Sequence, residues 1–259
     1  MRTIRKMNSE MLKTAARRFG ADLVGVAPIS RLTGLPAGSD PKLVAPAAMS
    51  VIAVAMRVLR GSLRGVEEGT NLQSTYHGFG FTWLEDQFLS RTIASLAEFL
   101  EEEGVEAVPL LGQRHEAGEG GFVPAVNEMA EAAGLGSVGR GGFFLTPEFG
   151  HRQRVGFVFA AAEFEPDAPR SVDFCEGCSA CVAACPLGAL DGGADSAARP
   201  LWNRCRQCRN GVNVMNGRAE PVDRFAAACG RACANAVENK ISNKFAAPFR
   251  KREPWSRNA

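Results

Sequence analysis

The stretch CEGCSACVAACP, residues 175–186, places four cysteines at spacings of two, two and three residues and ends on a proline. This is the ligand run of bacterial ferredoxins, in which three thiolates hold one iron–sulfur cube and the fourth reaches a second cube. Such a run needs four further thiolates. The remaining cysteines of the chain supply them: Cys205, Cys208, Cys229 and Cys233. We therefore predict two [4Fe–4S] clusters on eight cysteines.

The crossover of two-cluster ferredoxins predicts which cysteines share a cluster. The first cysteine set is Cys175, Cys178, Cys181 and Cys233, and the second cysteine set is Cys185, Cys205, Cys208 and Cys229. Zinc and disulfide bonds are the alternatives. Zinc sites pair two CxxC units across a longer gap and do not use this run. Disulfides that stabilise a fold would not all lie within residues 175–233, as these cysteines do.

The composition is that of an ordinary globular protein. Of 259 residues, 46% are hydrophobic and 22% are charged, and the net charge is only +2, which excludes a general polyelectrolyte role. The longest nearly uncharged apolar stretch, residues 43–56, is too short to span a bilayer. The N-terminus has no apolar segment typical of an export signal. We therefore expect a cytoplasmic protein without a transmembrane segment.

Helical and strand patterns alternate in the part of the chain that precedes the cysteines. Amphipathic and β-branched patterns predict helices over residues 8–20, 83–103 and 124–133, and strands over 22–27, 50–58, 105–111, 142–146 and 154–161. This arrangement favours an α+β body in which helices cover a sheet. A proline-bearing link follows at 165–170. We predict a body over residues 1–168 and a ferredoxin-like module with a basic C-terminal tail over 169–259.

The segment GLGSVG, residues 134–139, matches the GxGxxG pattern of dinucleotide-binding proteins. That pattern requires a strand before the glycines and a helix after them. Here a helical stretch precedes the glycines and a strand-like stretch follows. We therefore predict a sharp turn at a helix end, close to a flat ligand, and not a nicotinamide site.

The block AGLGSVGRGGFFLTPEFGHRQRVGFVF, residues 133–159, together with the cysteine run, resembles the corrinoid iron–sulfur reductases. This family comprises the epoxyqueuosine reductases and the reductive dehalogenases. Both groups have a glycine turn followed by a basic residue, a PEFG-like segment, an arginine-rich strand and the run CxxCxxCxxxCP. The resemblance implies a nitroreductase-like α+β body that binds cobalamin or another corrinoid in place of flavin, with the clusters feeding electrons to cobalt.

The resemblance also implies site residues. Tyr76, the only tyrosine, lies where dehalogenase-type relatives carry a proton-donating tyrosine, and Arg140 matches the basic position after the glycines. We predict Tyr76 as general acid and Arg140 as the cation that makes it more acidic and stabilises developing charge. The alternatives are a half-buried aromatic residue and a surface ion pair. The predicted cofactor contacts are Gly134, Gly136, Gly139, Arg140, His151 and Arg152.

The sequence therefore predicts an oxidoreductase that reduces a carbon–heteroatom bond of a small-molecule substrate. Reduced ferredoxin or flavodoxin is the expected electron donor, a homodimer is an open alternative, and no nucleic-acid partner is expected because a groove-docking motif is absent. Two other functions remain open. One is a non-catalytic electron-transfer or cobalamin-reactivating protein, and the other is an FMN-binding, nitroreductase-like enzyme.

Overall fold

The chain forms two compact units in the computed structural model. The residues that the structure describes are 7–36, 38–67, 73–111, 122–190, 200–208, 214–215, 218–219 and 223–245. Unit 1 comprises Met1–Arg57, Leu84–Val138 and Gln153–Val172, and unit 2 comprises Val58–Trp83, Gly139–Arg152 and Asp173–Ala259. Two segments of the predicted body over residues 1–168, Val58–Trp83 and Gly139–Arg152, belong to unit 2, and the predicted division at residues 168 and 169 stays a prediction.

Eight strands lie in the described ranges. They are β1 Leu23–Pro28, β2 Ser50–Arg57, β3 Ala107–Leu111, β4 Ser137–Val138, β5 Phe144–Leu145, β6 Gln153–Ala160, β7 Val214–Met215 and β8 Arg218–Ala219. In unit 1, four of them form one sheet in the order β1-β2-β6-β3, with every neighbouring pair antiparallel. All residues of β6 are buried, so this central strand is covered on both faces.

Seven α-helices accompany the strands in the same ranges. They are α1 Ser9–Arg18, α2 Arg60–Glu67, α3 Ser90–Glu102, α4 Val126–Ala132, α5 Ala180–Ala183, α6 Trp202–Cys205 and α7 Ala228–Val237. Within unit 1, the apolar faces of α1 and α3 pack on the sheet, with Leu12, Leu96 and Leu100 fully buried. In the ranges described, no helix combines the length and apolarity needed to cross a membrane.

The mixed helix-and-sheet fold predicted from the sequence is confirmed, and the bounds of the long central helix differ. Regular α-helix begins only at Ser90, and π-helical turns cover Gln73–Thr82 and Leu84–Leu89. A π-helical turn is wider than an α-helical one and is common at functional sites. Gly80 lies in this segment, where a Cβ would stand 2.5 Å from the Tyr76 ring. Close ring packing within the segment therefore accompanies the departure from regular α-helix.

Candidate metal and catalytic site in unit 2

All eight cysteines lie in unit 2, and none of the eight forms a disulfide. Short helices position several of them: α5 carries Cys181, and α6 ends at Cys205. Helix α7 carries both Cys229 and Cys233, one turn apart and both buried. The disulfide alternative is therefore not what the structure shows.

The second cysteine set lines one cavity. Cys185, Cys205, Cys208 and Cys229 face it together with Pro186, Ala189, Leu190, Arg224 and Ala227. Burial raises the pKa of the Cys229 thiol to about 11; the Arg224 cation opposes this shift, and Cys185 and Cys205 add to it. The cavity thus gathers the four thiols that the spacing assigns to one cluster, without a thiol of the first set among them.

The first cysteine set is brought together by α5 and α7. Burial raises the pKa of the Cys233 thiol above its usual range, and the nearby Cys181, Cys175 and Cys178 raise it further. Burial likewise raises the pKa of Cys181, with Cys175 and Cys178 adding to the shift. Among the described residues, no three His, Cys, Asp or Glu side chains are arranged around a single metal ion. A cube, unlike a mononuclear ion, takes its thiolates at different iron atoms.

The glycine turn at residues 139–142 lies against the first cysteine set. The Arg140 backbone N–H donates to Cys175 Sγ over 3.3 Å. A Cβ at Gly139 would lie 2.8 Å from Cys175 Sγ, and one at Gly141 would lie 3.1 Å from Cys181 Sγ. Glycine therefore allows the backbone to approach two thiols that carry negative charge when they bind iron. The sequence predicts a flat ligand close to this turn, and the close contacts that the structure shows for Gly139 and Gly141 include cysteine sulfur.

We expect Gly139→Ala to lower the iron content of the purified protein, because the added methyl group would displace Cys175 Sγ or the Leu145 side chain, which lies 2.7 Å from the same position. Overpacking of this kind costs about 1–3 kcal/mol. Gly61→Ala is the matched control, since Gly61 lies in α2 and has no atom within 4 Å of its Cβ position. Iron and acid-labile sulfide measured per chain would decide; equal iron in both variants would contradict the expectation.

Tyr76 is buried in unit 2 and is held by an acidic partner. Its hydroxyl donates a short hydrogen bond to Asp223 Oδ2, and its ring stacks on Phe225 at 6.2 Å between centroids. Asp223 Oδ1 in turn accepts the Phe225 backbone N–H over 3.1 Å. Asp223 therefore fixes the direction of the Tyr76 hydroxyl. No motif marks Asp223 in the sequence, and only the fold shows its role.

Arg140 has a different set of neighbours from Tyr76. Its backbone binds Cys175, and its Nε is buried without a hydrogen-bond acceptor among the described residues. The hydrogen bonds of Tyr76 and Arg140 thus lead to different partners, Asp223 for the one and Cys175 for the other. Their joint action on one substrate stays a prediction.

His151 and Arg152 are buried among protein groups. His151 Nε2 lies 2.7 Å from the Gly230 carbonyl oxygen, and its ring stacks on Phe143 at 4.9 Å. Arg152 is 2% exposed and donates to the Asn243 carbonyl over 2.9 Å. Both side chains hold segments of unit 2 together in the structure. Their predicted role as cofactor contacts stays a prediction.

The remaining predicted cofactor contacts, Gly134 and Gly136, lie in unit 1 after α4. Gly134 has a φ of 75°, and a Cβ there would meet the Ala168 carbonyl oxygen at 2.5 Å. The order helix, glycines, short strand is the one that the sequence indicates. It differs from the strand, glycines, helix order of a dinucleotide site.

Known proteins with similar sequences are reductases. No protein-family profile matches the chain. The epoxyqueuosine reductase of Staphylococcus aureus is 32% identical over 164 residues, which are 60% of this chain and 39% of that protein. A tetrachloroethene reductive dehalogenase of Desulfitobacterium hafniense is 27% identical over 224 residues, 70% of this chain and 38% of that one. The chain thus spans less than half the length of these relatives.

Solved structures of both kinds of reductase share the fold. An epoxyqueuosine reductase bound to an epoxyqueuosine-modified stem loop of tRNA-Tyr has a TM-score of 0.55 and 21% identity, and covers 91% of this chain and 61% of its own. A reductive dehalogenase whose structure suggests a mechanism for B12-dependent dehalogenation has a TM-score of 0.58 and 17% identity, covering 88% and 35%. The chain is similar in sequence and in fold to the epoxyqueuosine reductases and the reductive dehalogenases, and the resemblance seen in the sequence is confirmed.

The prediction of a small-molecule substrate and no nucleic-acid partner is wrong, because a structural neighbour is an epoxyqueuosine reductase in complex with a tRNA stem loop. A groove-docking motif is absent from the sequence, but RNA loops are recognised through shape and unstacked bases, which require no such motif. The absence of that motif therefore does not exclude an RNA partner.

Proposed function

We propose that the protein is a corrinoid-dependent iron–sulfur oxidoreductase that reduces a carbon–heteroatom bond. Its relatives are reductases of this kind, named for an epoxide-bearing nucleoside and for a chlorinated ethene. The observation that carries the proposal is the grouping of the thiols. The four thiols of the second set line one cavity, and Cys181, Cys175 and Cys178 lie close enough to Cys233 to raise the pKa of its thiol.

Each cysteine set would hold one [4Fe–4S] cluster. The second set encloses a cavity, and the first set is flanked by the glycine turn and by the Arg140 N–H, which donates to Cys175 Sγ. Donors of this type stabilise thiolate ligands and influence the reduction potential of a cluster. The protein's own contribution is therefore to bury the thiols of Cys181, Cys229 and Cys233 and to direct backbone N–H groups at sulfur.

The fit to a corrinoid rests on Arg140. Its buried Nε is a donor without an acceptor among the described residues, as expected for a group that faces a bound cofactor or substrate. A bound corrinoid would supply a strongly reducing cobalt centre. His151 and Arg152 already contact protein groups, so we assign them to the support of unit 2.

The Tyr76–Asp223 pair would supply the proton. Two-electron reduction of a carbon–heteroatom bond requires at least one proton, at carbon or at the departing heteroatom. The Tyr76 hydroxyl donates to Asp223, so release of its proton to a substrate requires that Asp223 carry a proton and return it. The two side chains would thus move one proton along a short path, with Tyr76 nearest the substrate.

The test is reconstitution without oxygen. We expect about eight irons and eight sulfides per chain, and two S = 1/2 signals in electron paramagnetic resonance after reduction. Incubation with cobalamin and, separately, with FMN should leave only cobalamin bound after gel filtration. The epoxyqueuosine-modified stem loop found with a structural neighbour is the first substrate to assay. A colourless protein, four irons, stoichiometric zinc or retained FMN would each contradict the proposal.

A further inference from the structure

Arg224 lies at the cavity of the second cysteine set, and one of its three side-chain nitrogens, Nε, has no acceptor among the described residues. Its side chain lines the cavity next to Cys229. The guanidinium donates from Nη2 to the Gly141 carbonyl and from Nη1 to the Gly142 carbonyl, the latter over 3.4 Å. The Nε atom is buried. A buried donor without a partner, beside four thiols, is suited to an acceptor that occupies the cavity.

The position of this cation is fixed from both sides. Its Cζ lies 4.4 Å from the centroid of the Phe143 ring and 5.2 Å from that of Trp202. These two cation–π contacts and the two hydrogen bonds to backbone carbonyls leave the planar guanidinium of Arg224 little freedom to turn away from the cavity. The same carbonyls belong to the glycine turn whose Arg140 N–H binds Cys175 of the first set. Arg224 therefore connects the two cysteine sets.

We propose that Arg224 raises the reduction potential of the cluster on the second cysteine set relative to that on the first, by placing its charge and its Nε–H at that cluster. The inference rests on the proposed function, because it requires both clusters. A cube with four thiolate ligands is negatively charged and gains one more negative charge on reduction. A fixed cation beside it stabilises the reduced form more than the oxidised form.

The decisive measurement is a potentiometric titration followed by electron paramagnetic resonance. In Arg224→Gln we expect the reduced-to-oxidised ratio of one cluster to fall about tenfold at fixed ambient potential, which equals about 59 mV for a one-electron couple. The other cluster should change by less than about threefold. Arg224→Lys keeps the positive charge but loses Nε and the planar guanidinium group. We expect its shift in reduction potential to be about half of that in Arg224→Gln.

Arg231→Gln is the matched control. Arg231 lies on α7 between Cys229 and Cys233, and its charge is balanced by Glu67 Oε1 at 3.4 Å from its Nε. Its removal leaves Glu67 uncompensated, and Arg231 lies between one cysteine of each set, so the ratios of both clusters should fall by similar amounts. A shift confined to the same single cluster in Arg231→Gln and in Arg224→Gln would overturn the proposal, because it would reduce the effect to net charge.

A second measurement needs no variant to fold. In the unsubstituted protein grown with arginine that carries ¹⁵N only in its guanidinium group, which leaves the Arg140 backbone nitrogen beside Cys175 unlabelled, hyperfine spectroscopy of the reduced clusters should show a ¹⁵N coupling at one cluster. Its absence would overturn the proposal, even if Arg224→Gln had lost iron. Iron and sulfide analysis distinguishes a failure of the role of Arg224 from a failure of the proposed function. Two clusters without the coupling would contradict the role of Arg224, whereas fewer than two clusters would contradict the proposed function itself.

Discussion

Replacement of Cys233 by alanine is expected to leave about four of the eight irons in the protein. Cys233 follows Cys229 closely on α7, yet its thiol is coupled most strongly to Cys181, Cys175 and Cys178. A cube that loses one of its thiolates at a buried site becomes exposed to hydrolysis. We therefore expect loss of the first cluster and retention of the second, measured as iron per chain and as one remaining resonance signal.

Double variants test the crossover between the sets. Cys233→Ala combined with Cys181→Ala should retain about four irons, because both cysteines serve the same cluster. Cys233→Ala combined with Cys205→Ala should retain almost none. The reverse pattern would show that Cys233 and Cys205 share a cluster and would refute the ligand sets. Each variant needs a check of its far-ultraviolet circular dichroism, since two thiols of α7 are buried.

The variant Tyr76→Phe should lower turnover by about 10² or more, the usual effect of losing a general acid. Phenylalanine keeps the ring that stacks on Phe225 and packs against Gly80, so that iron and corrinoid content should not change. Loss of the hydroxyl leaves Asp223 Oδ2 without this donor, at a cost to unfolding free energy of about 1–3 kcal/mol. Turnover and urea unfolding should therefore be measured on the same preparations.

Asp223→Asn separates proton transfer from positioning. Asparagine can still accept the Tyr76 hydroxyl hydrogen bond through its one oxygen but cannot return a proton, so turnover should fall about 10²-fold. Its NH2 group would then face the Phe225 N–H, so the free energy of unfolding should fall by about 1–3 kcal/mol, as in Tyr76→Phe. Thr75→Val is the matched control on the same π-helical segment, because Thr75 loses only its hydrogen bond to the Ser62 carbonyl. Full turnover in Tyr76→Phe would remove this pair from the mechanism and leave it a structural contact.

Much of the fold of unit 1 can be predicted because its signals are local. Leu23–Pro28 and Ser50–Arg57 are β-branched apolar runs, and both form strands within one residue of the predicted bounds. The spacing of the cysteines is equally local, since thiolates two residues apart can only wrap a nearby cluster. These features depend on a few consecutive residues, and no knowledge of distant contacts is needed.

The partners of Tyr76 and Arg224 could not be predicted in the same way. Asp223 and Tyr76 are 147 positions apart in the chain, and Arg224 meets the glycine turn across 83 positions. Neither Asp223 nor Arg224 lies in a recognisable sequence motif, so only the folded structure of unit 2 reveals their partners. The π-helical turns at Gln73–Thr82 likewise lie before the helix predicted over residues 83–103, in a segment whose two glycines give no helical signal.

Helix α7 has a consequence for electron tunnelling. It anchors one sulfur of each cysteine set, at Cys229 and Cys233. Because an α-helix advances about 1.5 Å per residue, these anchors are held about 6 Å apart along its axis. If each set holds a cluster as proposed, the helix would thus set the distance that an electron crosses between them. Changes in the length of the segments that connect the other cysteines would leave this distance unaltered. One residue inserted between Cys229 and Cys233 would instead rotate one of the two sulfurs by about 100° around the helix axis and away from its cluster.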